Sequence, residues 1–94
     1  MITEKNIEQK LVKEVKNAGG LCLKFTSPGF DGVPDIIILL PDGIIAFAEL
    51  KAPGKKLRPL QEHRKRQLES LGFSVFCIDN TECIGGVVDE IYTA

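Results

Sequence analysis

Three side chains in this 94-residue sequence have types and spacings that suit joint chemistry. Asp35 follows Pro34 at the head of an apolar run, and Glu49 and Lys51 flank Leu50 at the end of the next. In an extended strand, residues two apart share a face, so Glu49 and Lys51 point the same way while Leu50 points into the core. Alone, an acid and a lysine so spaced read as an ordinary salt bridge at a strand end, and an aspartate after a proline as a turn or helix cap. The turn signal Pro41-Asp42-Gly43 changes the weighting, because it folds the two runs into antiparallel neighbours. Counting back from that turn brings Asp35 opposite Glu49 or Lys51. Two carboxylates and an ammonium then converge at the open end of a hairpin. Carboxylates held close resist ionising together unless a cation lies between them, and a hard divalent cation with oxygen ligands suits that place.

The elements that must position these residues can be read along the chain. Thr3 has the character of an N-cap, with Ile2 and Ile7 as a hydrophobic staple, and the helix it starts should stop near Gly19-Gly20. Ile7, Leu11, Val12, Val15 and Ala18 form one stripe at about 100° per residue. Glu8 falls inside that stripe, and Glu4 lies on the same side in the first turn. Leu21 to Thr26 reads as a strand, followed by the loop Ser27-Pro-Gly-Phe-Asp-Gly-Val33. Ile36 to Leu40 is continuously apolar, as expected of a strand covered on both faces. Ile44 to Lys51 is its hairpin partner, ended by Ala52-Pro-Gly54. Pro59 suits the first turn of a second helix that carries Leu60, Leu68 and Leu71 and stops at Gly72. Phe73 to Asp79 predicts a fourth strand, and a short helix follows from about Glu82, weakened by Gly85-Gly86. The order is α-β-β-β-α-β-α, with no repeats, linkers or low-complexity tracts.

Length predicts a single domain over residues 1–94, with a core small enough that a partner subunit would add to it. The chain is 44% apolar and 27% charged, which is ordinary for a soluble globular protein. It has no Trp and six aromatics in all, so stacking on bases is not the obvious binding strategy. A net charge of −1 argues against coating nucleic acid through bulk charge, but the charge is uneven. Lys51, Lys55, Lys56, Arg58, Arg64, Lys65 and Arg66 share a stretch with one acid, Glu62, leaving five basic and twelve acidic residues elsewhere. Local potential of this kind steers a polyanion. His63 lies in the same stretch without a visible partner and reads as a surface residue. Cys22, Cys77 and Cys83 are odd in number and form no C-x-x-C, which points to reduced thiols rather than disulfides or zinc. The polar N-terminus is unlike a signal peptide, and no apolar run is long enough to span a membrane, so a cytosolic protein with no membrane partner is expected.

Pro34-Asp35, thirteen intervening residues and Glu49-Leu50-Lys51 resemble the PD-(D/E)-x-K nuclease superfamily. The longer combination of Ser27 to Asp35, Glu49-Leu-Lys-Ala-Pro-Gly54 and Leu57-Arg-Pro-Leu-Gln61 resembles, more narrowly, the virus-type replication-repair nuclease (VRR-NUC) domain. The resemblance covers nearly the whole chain. It implies a restriction-endonuclease-like αβββαβ core, with a central mixed sheet flanked by helices. It implies that Asp35, Glu49 and the backbone carbonyl of Leu50 bind Mg²⁺ or Mn²⁺, and that Lys51 holds the attacking water. A helical glutamate completes such sites, and Glu8 is the first choice here, with Glu4 its rival. Gln61 occupies the family's glutamine position and would orient Lys51 or a water. Lys24, Ser27, Lys55, Lys56, Arg58, Arg64 and Lys65 are the candidate DNA contacts. The implied activity is metal-dependent DNA hydrolysis, on four-way (Holliday) junctions, by a homodimer in bacterial or phage-infected cytoplasm. The alternatives are a monomeric flap nuclease or exonuclease, a nuclease subunit of a replication-repair complex, and a non-catalytic DNA-binding module.

Overall fold

The structure is a computed structural model that describes residues 2–93; Met1 and Ala94 lie outside the described residues. Helix α1 spans Glu4–Asn17. Thr3 starts it: the Thr3 hydroxyl accepts from the Asn6 N–H at 3.2 Å, and Asn6 Oδ1 accepts from the Thr3 N–H at 3.0 Å. Two donors that a helix start leaves unpaired are thereby satisfied. The helix stops where Gly19 takes φ +87° and the Gly20 N–H turns back onto the Val15 carbonyl at 2.9 Å. Gly20 is constrained by space instead. A Cβ there would stand 2.2 Å from the Leu39 carbonyl oxygen, so a side chain would prevent the chain from passing the second strand this closely.

Strands β1 (Leu21–Lys24), β2 (Ile36–Leu40) and β3 (Ile44–Leu50) form an antiparallel meander. Helix α2 (Pro59–Ser70) then crosses to β4 (Ser74–Ile78), which lies parallel to β3, and α3 (Ile84–Thr93) follows. The strand order is β1-β2-β3-β4. This is the α/β architecture that the element order predicts: a four-stranded mixed sheet flanked by three helices. The β2–β3 turn, Pro41–Gly43, holds Asp42 at φ 70° and Gly43 at φ 74°, left-handed conformations that Asp and Gly tolerate. Its length sets the register Ile36↔Ala48 through Leu40↔Ile44.

Side chains alternate across this sheet. Ile36, Ile38, Leu40, Ala46, Ala48, Leu50 and Ile78 share one face, where Ile7, Leu11 and Val15 of α1 and Ile84, Val88 and Ile91 of α3 complete a single buried cluster. Each large side chain so buried contributes roughly 1.5–3 kcal/mol, and that outweighs any propensity of the 14-residue α1. The Tyr92 hydroxyl ties α3 to the end of α1 by donating to the Ala18 carbonyl at 2.7 Å. On the opposite face, Gln61 of α2 meets Glu49 of β3.

Three expectations are corrected. Val12 is exposed, because it stands about 100° from Leu11, the centre of the buried stripe. β2 is not covered on both faces: Ile36, Ile38 and Leu40 are buried, while Ile37 and Leu39 are half-buried. Helix α2 does not pack through Leu60 and Leu71, which are exposed; its buried residue is Gln61.

Candidate active site

Asp35 immediately precedes β2, and the β2–β3 register continued by one step sets it opposite Glu49. Its carbonyl accepts from the Phe25 N–H at 2.7 Å, which ties it to the end of β1. Its Oδ2 accepts from the Leu50 N–H at 3.0 Å, so the side chain takes a donor that the ladder no longer pairs at the hairpin's open end. Glu49 is buried on β3 and faces away from the main core. Its carboxyl hydrogen-bonds that of Asp35, and its Oε1 accepts from Gln61 Nε2 at 3.2 Å. Gln61 is buried in the first turn of α2, where its Oε1 accepts from the Arg58 N–H at 2.8 Å. One end of Gln61 therefore starts a helix while the other holds Glu49. Among the described residues, no buried side-chain nitrogen or oxygen lacks a partner.

Burial, then the hydrogen bond and negative charge of Asp35, push the Glu49 carboxyl up to about 8; Lys51 and Arg58 pull it partly back. At neutral pH the pair thus holds a proton between two carboxyl groups. A divalent cation in that place would displace the proton and balance both acids. Asp35, Glu49 and a backbone oxygen at Leu50 are hard donors of the kind Mg²⁺ and Mn²⁺ take. Among the described residues, no three His, Cys, Asp or Glu side chains stand close enough to hold a metal by themselves. Backbone and water oxygens would have to complete such a shell, as Mg²⁺ commonly requires.

In front of Asp35 and Leu50 opens a cleft of about 550 Å³, whose far wall is α1 with Glu4 and Glu8. The structure therefore brings both helical glutamates to the Asp35 cleft. It also places Lys24 there, in an ion pair with Glu8, so this ammonium is engaged by a carboxylate rather than standing free for phosphate. Lys51 follows β3, with its N–H donating to the Ile78 carbonyl at 3.0 Å and its charge acting on Glu49. Lys55, Lys56 and Arg58 are exposed on the segment between β3 and α2.

Other candidates lie apart. Ser27 lines a separate apolar hollow of about 250 Å³ with Phe25, Phe30, Val33, Phe47 and Leu68. Arg64 donates from Nε to the Asp31 carbonyl at 2.7 Å and from Nη1 to Gln67 Oε1 at 2.9 Å, and lies 3.7 Å from the centre of the Phe30 ring. It clamps the loop before Asp35 onto α2. Lys65 pairs with Glu69 at 3.0 Å, and His63 is exposed. Sequence reasoning missed Cys77, which faces Glu49 across the β3–β4 ladder; burial, then Asp79 and Glu49, push its thiol up. Only the β3–β4 register reveals it, and a crossover leaves no register signal in sequence.

No family model matches the chain. It is 45% identical over 82 residues to a protein described as "Putative nuclease p44", from Acyrthosiphon pisum secondary endosymbiont phage 1; the match covers 87% of this chain and 88% of that one. The chain belongs to the family of that phage protein. A solved structure described as "VRR_NUC domain" superposes with a TM-score of 0.85 at 24% identity, covering 94% of this chain and 97% of the other. The fold that the resemblance to the VRR-NUC domain implies is therefore the fold observed. Within that fold, the hairpin's open end and the N-terminal turn of α2 meet at Glu49, and the start of α1 closes the cleft in front of Asp35.

Proposed function

We propose that this chain is a metal-dependent nuclease that hydrolyses phosphodiester bonds in DNA, with four-way junctions as its preferred substrate. The observation that carries the reading is the Asp35–Glu49 carboxyl pair, fixed by Gln61 and acted on by the charge of Lys51, in a chain whose phage relative is named a nuclease. When bound, Mg²⁺ or Mn²⁺ supplies a lowered water pKa and offsets charge on the phosphate. Asp35 and Glu49 would hold it together with a Leu50 backbone oxygen and waters; Glu8, on the α1 side of the cleft, would add a carboxylate only on leaving its ion pair with Lys24. Gln61 keeps the Glu49 carboxylate from rotating away, because both its polar ends are already bonded. Lys51 orients the attacking water and places a compact positive charge beside the scissile phosphate. Water is the nucleophile, and no covalent intermediate forms. Lys55, Lys56 and Arg58 contact the DNA backbone electrostatically, independent of sequence. A homodimer would present two such sites to the two-fold symmetry of a junction.

The test is a cleavage panel of four-way junction, flap and linear duplex with Mg²⁺, Mn²⁺ or EDTA. Metal-dependent cutting that favours the junction is expected, with Asp35→Ala and Lys51→Ala slower by at least roughly 100-fold. Equal cutting of junction and duplex would remove the junction assignment. Undiminished cutting by Asp35→Ala would remove the site.

A further inference from the structure

Three of the chain's five phenylalanines, Phe25, Phe30 and Phe47, meet around one hollow of about 250 Å³ between the loop at 27–33 and α2. Phe47 is buried and Phe30 is 47% exposed, so the hollow has an aromatic depth and an aromatic lip. The Phe25 and Phe47 rings lie 5.9 Å apart between centres. Its polar atoms come from Ser27, Arg64 and Gln67. Arg64 uses Nε on the Asp31 carbonyl and Nη1 on Gln67 Oε1, at 2.7 and 2.9 Å. No hydrogen bond from the described residues engages Arg64 Nη2, Gln67 Nε2 or the Ser27 hydroxyl. Apolar walls with a few placed polar groups are the make-up of a small-molecule site, and a volume just below the roughly 300–1,000 Å³ of drug-sized sites suits a single ring system.

The hollow opens beside the proposed active site. Phe25 lines both the hollow and the Asp35 cleft, and its N–H donates to the Asp35 carbonyl at 2.7 Å. Phe47 stands two residues before Glu49 on the same face of β3, a step of roughly 6.7 Å. We propose that the hollow receives one unpaired nucleobase, from a nucleotide beside the scissile phosphate. The inference rests on the proposed action on DNA and adds to it how a branched substrate is recognised. A base within a duplex is stacked on both sides and has to leave the stack before it enters. Inside, its faces meet phenylalanine rings and its edge acceptors meet the free donors of Gln67 and Arg64. Every base has a π-face and an edge acceptor, so the hollow does not select sequence. It selects instead for a low cost of unstacking, which is least where a base is already unpaired, as at a branch point. Six aromatics are too few to coat a strand, but three of them beside Asp35 and Glu49 suffice for one base.

The test walks 2-aminopurine, a fluorescent adenine analogue quenched by neighbouring bases, one position at a time along a four-way junction and a linear duplex of the same sequence. Ca²⁺ replaces Mg²⁺ so that the strand stays whole. A base seated among phenylalanines keeps its emission, since the chain has no Trp and its one Tyr, Tyr92, belongs to α3 on the other face of the sheet. In the bound parent, a junction position next to the bond cut by Mg²⁺ should brighten, and the matching duplex position should stay dark. Phe30→Ala removes the exposed ring and Ser27→Phe fills the hollow; each should abolish the signal, and Phe30→Ala should raise the dissociation constant for the junction by about 10- to 100-fold. Circular dichroism checks that both variants fold, and Lys13→Gln, exposed on α1, should behave as the parent. A bound parent in which every position stays dark overturns the proposal and leaves the hollow to a protein partner. A bright position that both folded variants retain overturns it as well, as does one remote from the cut bond. Cutting with every position dark removes this inference alone; a bright base in a chain that cuts nothing with Mg²⁺ or Mn²⁺ removes the nuclease reading alone.

Discussion

Glu49→Gln tests the physical basis of the carboxyl pair. In the fold, Glu49 titrates at about 8, against 4.5 for an ordinary glutamate. Between those values the folded chain keeps a proton that the unfolded chain has already lost, so stability falls as pH rises through this window. The penalty is absent below 4.5 and complete above 8. At about 1.4 kcal/mol per pH unit, the window sets a ceiling near 5 kcal/mol, and relaxation around the charge brings the expected loss to on the order of 3 kcal/mol. Glutamine can accept from Gln61 and donate to Asp35 as protonated Glu49 does, but it cannot ionise. The variant should therefore match the parent near pH 5 and exceed it by about 3 kcal/mol at pH 8.5, or roughly 12–20 °C in melting temperature. The assay is urea unfolding of both proteins in EDTA from pH 5 to 9, read as a difference so that other titrating groups cancel. Parallel profiles would refute the shared-proton account, and so would a gap that opened toward acid. Added Mn²⁺ should close the gap at pH 8.5, since it offsets the ionised Glu49–Asp35 pair of the parent, and the glutamine variant has no ionised Glu49 to offset.

Three further outcomes follow from the geometry. Lys24→Met releases Glu8 from its ion pair, and calorimetry should show Mn²⁺ binding tighter by roughly 2- to 5-fold; unchanged affinity would show that Glu8 is not a ligand. Gly32→Ala puts a Cβ 2.7 Å from Leu60 Cγ at φ +88°, and should cost about 1–3 kcal/mol in urea unfolding while the loop at 27–33 becomes open to proteolysis. Gln61→Leu leaves Glu49 Oε1 and the Arg58 N–H without these partners, and should lower stability by about 1–3 kcal/mol and kcat more than KM.

The pairing of Asp35 with Glu49 was legible because it depends on local rules. A three-residue turn and a period of two leave little freedom in where the hairpin's ends meet. The buried stripe of α1 was legible for the same kind of reason, except at its edge, where Val12 escapes and Glu8 stays. Charges were legible as a stretch but not as partners. Lys24 and Glu8 are sixteen residues apart, and only the packing of α1 on β1 pairs them. Arg64 spends its guanidinium on a carbonyl thirty-three residues away, which no charge count reveals. Gln61 was singled out through a family resemblance. Its double bond to Arg58 and Glu49 depends on where α2 lands, and the apolar residues of α2 gave the wrong sign for that, since Leu60 and Leu71 face solvent.

The continuous run Ile36 to Leu40 shows where such reading stops. Its letters state that both faces are apolar; they do not state what covers each one. A helix is about 10 Å across and strands lie about 4.8 Å apart, so one helix covers roughly two strands. Four strands need two helices per face. The inner face has α1 and α3, but the outer face has only α2, which packs on β4 and reaches β3 through Gln61 and Glu49. The shortfall is two strands wide and falls on β1 and β2, where Leu21 and Leu23 are exposed and Ile37 and Leu39 half-buried. Charged or polar outward residues on those two strands would have made it an ordinary solvated surface. The outward residues there are Leu, Leu, Ile and Leu, so the part of the face that α2 does not reach is apolar, which the letters of the run predict while saying nothing of where the one outer helix lands.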